Sequence, residues 1–386
     1  MEAPGGHDAA PPPDAGPDSA APPDGGDVPD AAADAQVEPE CALALDPPDG
    51  ADTGTAQSAN ETPRLVRVGD DAFGLVVRGE DGIVATFVSA AGELAAGPVG
   101  PLDDGEAGPE IATAATAVGG LLVVWRVGTD GSLAGSIVDG GGAADVGTLS
   151  DATDVLVDSP AVGRSSAGFV LAWIETRDGA GVLATRPLDA NGLPAGDSVA
   201  HTTDGTDGAP GLADSVDEDV PIAWADDASG APRLQAGLRL ADGSIEAREV
   251  STATIDGGAD VVASPLGVFL SWVEPSDGGG GLRAVHVTRF EGEIIQDRVI
   301  ARNADLAEHT SIAWDGERVL VGWHTGAVGA VEATIAAVAP DLQVIDTLVL
   351  PGASVRPDVA AGPEARSVAW LDSADRTVRV GALSCE

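Results

Sequence analysis

Four acids stand two positions past a tryptophan: Glu175 after Trp173, Asp226 after Trp224, Glu274 after Trp272 and Asp372 after Trp370. Carboxylates gathered on one rim can coordinate a hard cation such as calcium, or divide the roles of general acid and general base. Asp227 and Asp277 add charge beside two of them. The other reading is local: short acidic residues favour tight turns, where they stay solvated. None of these loops has the D-x-D-x-D-G spacing of a calcium loop. A second constellation is Glu308, His309 and His324. Two imidazoles and a carboxylate suit a transition metal or acid–base chemistry near neutral pH. His201 and His286 fall in outward strands and are expected to be exposed. No serine lies in G-x-S-x-G, so nothing supports a nucleophilic triad.

Whether these groups meet depends on the elements that carry them, and those elements repeat. GLLVVW ends at Trp125, GFVLAW at Trp173, DVPIAW at Trp224, GVFLSW at Trp272, RVLVGW at Trp323 and ARSVAW at Trp370. The spacings are 48, 51, 48, 51 and 47 residues, and 48 before Trp125 stands Val77, which ends a seventh copy in FGLVV. Periods of this size belong to propellers and solenoids. Each copy has a short strand, begun in several by Pro63, Pro109, Pro160, Pro210 or Pro357, then a turn and the apolar strand ending in Trp. A Gly/Asp-rich turn follows, then a strand alternating on a period of two, as in LRAVHVTRF, then a hairpin and a fourth strand. No segment sustains a 3.6-residue apolar period, so helices should be nearly absent. The pattern predicts an all-β, seven-bladed β-propeller of four-stranded antiparallel blades, with one tryptophan per blade filling the wedge between neighbours. Trp314 lies outside the series and is expected to be more exposed. The four acids then lie on the face that carries the loops between second and third strands.

The last copy stops after its third strand, RTVRVGALSCE, which would leave an open edge. A spare strand at 40–45, ECALAL, belongs to no copy of its own. If it completes blade seven, the ring closes and Cys41 lies beside Cys385, the only other cysteine. A disulfide across that seam requires an oxidising compartment. Ahead of it, residues 1–39 are dominated by Ala, Pro, Asp and Gly and should be a disordered, extended spacer. Met1 is followed by neither a basic nor an apolar leader segment.

Acids outnumber bases 63 to 19, and the net charge is -44. Such a field repels nucleic acid and anionic membrane surfaces, and no apolar run is long enough for a transmembrane helix. The acid cluster at 202–220 has no recognisable ligand spacing. Blades such as GLLVVWRVGTDGSLAGSIV and GVFLSWVEPSDGGGGLRAVHVTRFEGE resemble the LVxW-type repeats of propeller domains in secreted bacterial lipoproteins, over about residues 61–386. The resemblance implies an export signal and a lipid tether upstream of the acidic spacer, and a place at the cell surface. Sialidase boxes with their tyrosine nucleophile are absent, as are kelch, quinoprotein and integrin-type calcium signatures, and the single Trp-Asp pair, Trp314–Asp315, begins a turn instead of ending a blade. The expected function is a tethered extracellular binding or interaction module, monomeric, for a glycan, peptide or protein partner. The alternative is a propeller hydrolase or lyase using the rim carboxylates, with or without a metal.

Overall fold

A strand that is apolar at every position must be covered on both faces, and the tryptophan-terminated segments meet that need by lying between two other sheets. In the computed structural model, which describes residues 41–385 apart from 57–61, 96, 104–106, 129–130, 151–155, 178–179, 202–207, 228–230, 256, 276–282, 303–309 and 327–330, all regular structure is antiparallel strand. The chain forms seven small sheets, and their innermost strands touch in a closed cycle around a central channel: a seven-bladed β-propeller. Strands are lettered a to d from the channel outward. The expectation for residues 1–39 lies outside the described residues. Among those described, no helix is long and apolar enough to cross a membrane.

Burial follows the letters. In blade 3, strand b (Gly168–Arg177) is buried at eight of ten positions, whereas strand d of blade 5 (Ile294–Arg302) is exposed or half-buried throughout. Trp173, Trp272 and Trp370 are fully buried, and Trp125, Trp224 and Trp323 are nearly so. Each packs against the preceding blade; Trp370, for instance, shares a core with Leu320 and Ile335 of blade 6. Trp314 is half-buried and stacks on Phe269, with ring centroids 5.8 Å apart. Prolines mark irregularities at strand entry: in blades 2, 3 and 7 the a–b register slips beside Pro109, Pro160 and Pro357, where no N–H is available to the ladder.

Blade 7 closes the ring from both ends of the chain. Strands Ser354–Ala361, Arg366–Asp372 and Thr377–Cys385 come from the C-terminal side, and Leu43–Ala56 supplies strand d. Leu43 pairs with Cys385 and Leu45 with Leu383, and Cys41 is disulfide-bonded to Cys385 at a Cα–Cα distance of 4.7 Å. The closing strand is therefore longer than the expected 40–45, running on through two bulges to Ala56. The junction with blade 6 is also tied by charge. Asp315 is buried and accepts hydrogen bonds from the N–H groups of Glu317 and Arg318, both at 2.8 Å. Its other oxygen receives Arg366 Nε at 2.8 Å, and Arg318 Nη1 lies 2.9 Å from Cys385 Sγ.

One blade departs from the four-strand expectation. Blade 1 has three regular strands, Arg64–Arg67, Ala72–Gly79 and Gly82–Ser89. Its outer edge is covered by single backbone hydrogen bonds to Glu93, Ala95 and Leu102 and by a reciprocal pair between Ala85 and Val99. Gly97–Pro98 and Gly100–Pro101 interrupt that segment, and a proline cannot donate to a continuous ladder.

Cys385→Ser should lower stability by roughly 2–5 kcal/mol, the usual range for a native disulfide, measured by denaturant unfolding under oxidising conditions. Removing residues up to Ala56 should be worse, because strand c of blade 7 then becomes a bare edge and the chain aggregates. A monomeric truncation as stable as the full chain would refute this account of closure.

Candidate functional site

The a–b registers define a ring. The residues opposite the one preceding each tryptophan (opposite Val76 in blade 1) are Arg64, Ala112, Ala161, Gly211, Asp260, Ser311 and Asp358, for blades 1 to 7. All seven line the central channel, which encloses about 650 Å³. The ring is lopsided. Blades 2, 3 and 4 contribute Ala, Ala and Gly; blades 5, 6, 7 and 1 contribute an unbroken crescent of Asp, Ser, Asp and Arg.

Each member of the crescent reaches the innermost strand of the next blade. Asp260 Oδ2 accepts the Ile312 N–H at 2.8 Å, and Ser311 Oγ donates to the Pro357 carbonyl at 3.0 Å. Asp358 Oδ2 accepts the Leu65 N–H at 2.7 Å, and Arg64 Nε donates to the Ile111 carbonyl at 3.1 Å. Burial pushes the Asp358 carboxyl up to about 7; Arg64 pulls against that shift and Asp260 adds to it. Burial likewise raises Asp260, opposed by the Ile312 N–H and by Arg64. Further along the channel Asp214, raised by burial, accepts the Arg164 N–H at 2.8 Å. The crescent thus holds a carboxyl poised near neutrality beside a guanidinium.

The structure distributes the sequence-predicted acids over four blades, each facing a base of its own blade. Glu175 is buried, accepts Trp173 Nε1 at 3.1 Å and pairs with Arg177. Asp226 stands opposite Arg233 in the b–c register. Glu274 Oε2 is 2.9 Å from His286 Nε2. Asp372 accepts Arg379 Nε at 3.2 Å and the Ala374 N–H at 3.0 Å. Among the described residues no three His, Cys, Asp or Glu side chains gather as a metal site. Glu308 and His309 lie outside the described residues. His324 is buried, its Nδ1 has no hydrogen-bond partner among the described residues, and burial lowers its pKa to about 4, with Arg356 and Arg283 adding to the fall. It is a neutral imidazole at neutral pH.

The expectation for His286 is corrected. It is buried, stacked on Trp272 with ring centroids 4.0 Å apart, and held between Glu274 and Asp297, the latter at 2.9 Å. Thr288 links the same Asp297 to the Trp272 indole. Burial opposes the imidazolium, but the two carboxylates outweigh it and the pKa is raised. His201 is half-buried, its Nε2 3.0 Å from Thr185 Oγ1. Sequence reasoning passed over Asp260, Asp358 and Arg64. Arg64 and Asp358 carried a signal in Pro63-Arg64-Leu65 and Pro357-Asp358-Val359, a charged residue between a proline and an apolar residue; Asp260, which follows Ala259, carried none.

No family model matches the chain, and neither does any curated protein. Among solved structures, a putative 6-phosphogluconolactonase from Bacteroides uniformis ATCC 8492 is similar with a TM-score of 0.55 and 14% identity, over 81% of this chain and 92% of that one. BBS1N, crystallised in complex with ARL6DN, is similar with a TM-score of 0.53 and 11% identity, over 87% of this chain and 96% of that one. Identities this low carry the fold alone.

Because the folded chain holds the Asp358 proton more tightly than the unfolded chain, the stability it contributes is full below about pH 4 and is lost as pH rises towards 7. One such group changes stability by up to about 1.4 kcal/mol per pH unit. Asp358→Asn should flatten the fall in unfolding free energy across that window; an unchanged slope would rule the assignment out. A second expectation concerns calcium. With the rim acids facing bases, millimolar calcium should leave the melting temperature unchanged, whereas a rise that disappears in Glu274→Ala would assign them a cation after all.

Proposed function

We propose that this chain is an extracellular binding module, carried at the cell surface by its acidic N-terminal spacer, and that it engages a glycan at the crescent side of the channel mouth. The observation that carries this reading is the lopsided ring. A polar arc of Asp260, Ser311, Asp358 and Arg64 faces a smooth arc of Ala112, Ala161 and Gly211. Such a surface suits a polyhydroxylated ring, which needs donors and acceptors on its edge and small residues against its face. The net charge of -44 favours neutral or basic ligands over anionic ones. The Cys41–Cys385 disulfide is in keeping with an oxidising compartment, and the likeness of several blades to LVxW-type lipoprotein repeats supports the tether.

A second reading has one observation in its favour. A carboxyl near 7 beside a guanidinium, in a channel of this volume, is the equipment of a general acid–base hydrolase or lyase. The two readings separate in one experiment. Labelled protein is probed on an array of neutral and basic glycans, and each bound oligosaccharide is then incubated with the protein and analysed by mass spectrometry. Saturable binding that is lost in Ala161→Trp, which crowds the mouth, with the oligosaccharide recovered intact, is the expected result. Cleavage abolished by Asp358→Asn would replace the binding module by the enzyme. Binding unaffected by Ala161→Trp would remove the channel mouth from both.

A further inference from the structure

Six of the seven wedges between blades hold an indole, each directed at the preceding blade. Trp125 packs among blade 1 residues such as Ile83 and Ala85, Trp173 against blade 2, Trp224 against blade 3, and so on to Trp370 against blade 6. The seventh wedge, between blades 7 and 1, receives Val77, which packs near Leu371 and Val378. Valine is far smaller than tryptophan, and the neighbours do not close the gap. A pocket of about 290 Å³ remains, lined by Leu75, Val77, Val84 and Thr86 of blade 1, by Leu94 at its irregular edge, and by Thr53 of the closing strand. The interrupted edge of blade 1, with Gly97 and Pro98 in its wall, adjoins this same space.

Blade 1 carries a threonine at the register position where blade 5 has the acceptor of its indole. In blade 5, Trp272 stands opposite His286, and Thr288, two residues on, receives the indole N–H at 2.9 Å. In blade 1, Val77 stands opposite Val84, and two residues on is Thr86. A threonine hydroxyl therefore lines the pocket at the register position where blade 5 takes an indole N–H, and its oxygen carries two lone pairs. Its walls are mostly apolar, from Leu75, Val77, Val84 and Leu94, with Thr53 and Thr86 as the polar groups, a lining that suits an aromatic ring carrying one polar edge. The volume is at the lower end of small-molecule pockets and suits a two-ring fragment better than a large ligand.

We propose that the wedge between blades 7 and 1 is a binding site for a small planar aromatic molecule of indole size with one N–H or O–H donor, its ring against Leu75, Val77 and Val84 and its donor on Thr86 Oγ1. The site is separate from the channel mouth, so it stands or falls independently of what that mouth binds.

The test is thermal melting of the full chain with millimolar indole, and with indene, which has the same shape without the N–H. Wild type should be stabilised saturably by both, with indole preferred about two- to tenfold, the equivalent of one hydrogen bond. Val77→Trp supplies the ring covalently; it should melt higher than wild type and lose the response. Should that variant fail to fold, Val77→Phe fills most of the space and should weaken indole at least about tenfold. Thr86→Val should keep the response to the ring while no longer distinguishing indole from indene. No stabilisation of wild type, an undiminished response in a filled variant, or a preference for indole that survives Thr86→Val would each overturn the proposal.

Discussion

A four-stranded sheet with two apolar faces is stable only when another sheet covers each face, and seven such sheets satisfy one another only if the ring closes. Closure is the constraint on which the rest depends. The chain's two ends meet inside blade 7, where strand d comes from Leu43–Ala56 and the other three strands from the C-terminus. A loop of 344 residues is thereby fixed by one disulfide and one antiparallel ladder. Without them, that last pairing would have to repay the closure entropy of nearly the whole chain. The ion-paired cluster of Asp315, Arg318 and Arg366 binds blade 6 to this junction, and Arg318 also touches Cys385, so covalent and electrostatic ties converge at the same seam.

The same demand explains why polar groups near the channel look catalytic yet have structural work. Innermost strands of adjacent blades diverge from one another's ladders, leaving backbone N–H and C=O groups that need partners. Asp260, Ser311, Asp358 and Arg64 supply them across four successive blade junctions. Ala112, Ala161 and Gly211 have no polar side chain to do so; between blades 3 and 4 Asp214 accepts the Arg164 N–H instead, and between blades 4 and 5 the backbones approach closely, where a Cβ on Gly211 would lie 2.2 Å from the Ala259 carbonyl oxygen. The asymmetry of the channel is thus a by-product of two ways of joining neighbouring blades, and it produces a mouth that is polar on one side and smooth on the other.

Scarcity of bases sharpens this picture. With 19 bases against 63 acids, most carboxylates must remain solvated, so those that have a base are informative. Arg177, Arg379 and His286 each meet the acid that follows their own blade's tryptophan by two. The His286 and Arg379 pairs tie strand b to strand c beside the large rings, whereas Arg177 and Glu175 lie on one strand. An acid two past the tryptophan is consequently a neighbour of a base of its own blade before it is a neighbour of any other blade's acid, and a cation would have to compete with a base already in contact.

The repeat period determined the architecture: about 48 residues contain four strands and three turns and nothing longer, and the count of copies is the count of blades. The missing fourth strand of the last copy, together with two cysteines at the two ends, determined how the ring closes. Those signals are local or arithmetical, and survive being read one residue at a time. What only the tertiary structure decided were the consequences of neighbours. His286 sits in an alternating strand whose pattern reads as half-exposed, but Trp272 and two carboxylates cover it. Asp358 and Arg64 are nearly 300 residues apart and become ring partners because blade 7 abuts blade 1. Val77 stands at the tryptophan position of its copy; that it leaves a pocket depends on the residues of the facing blade, which no periodicity encodes. Strand order is written along the chain, whereas burial, pairing and empty space belong to the wedges between sheets.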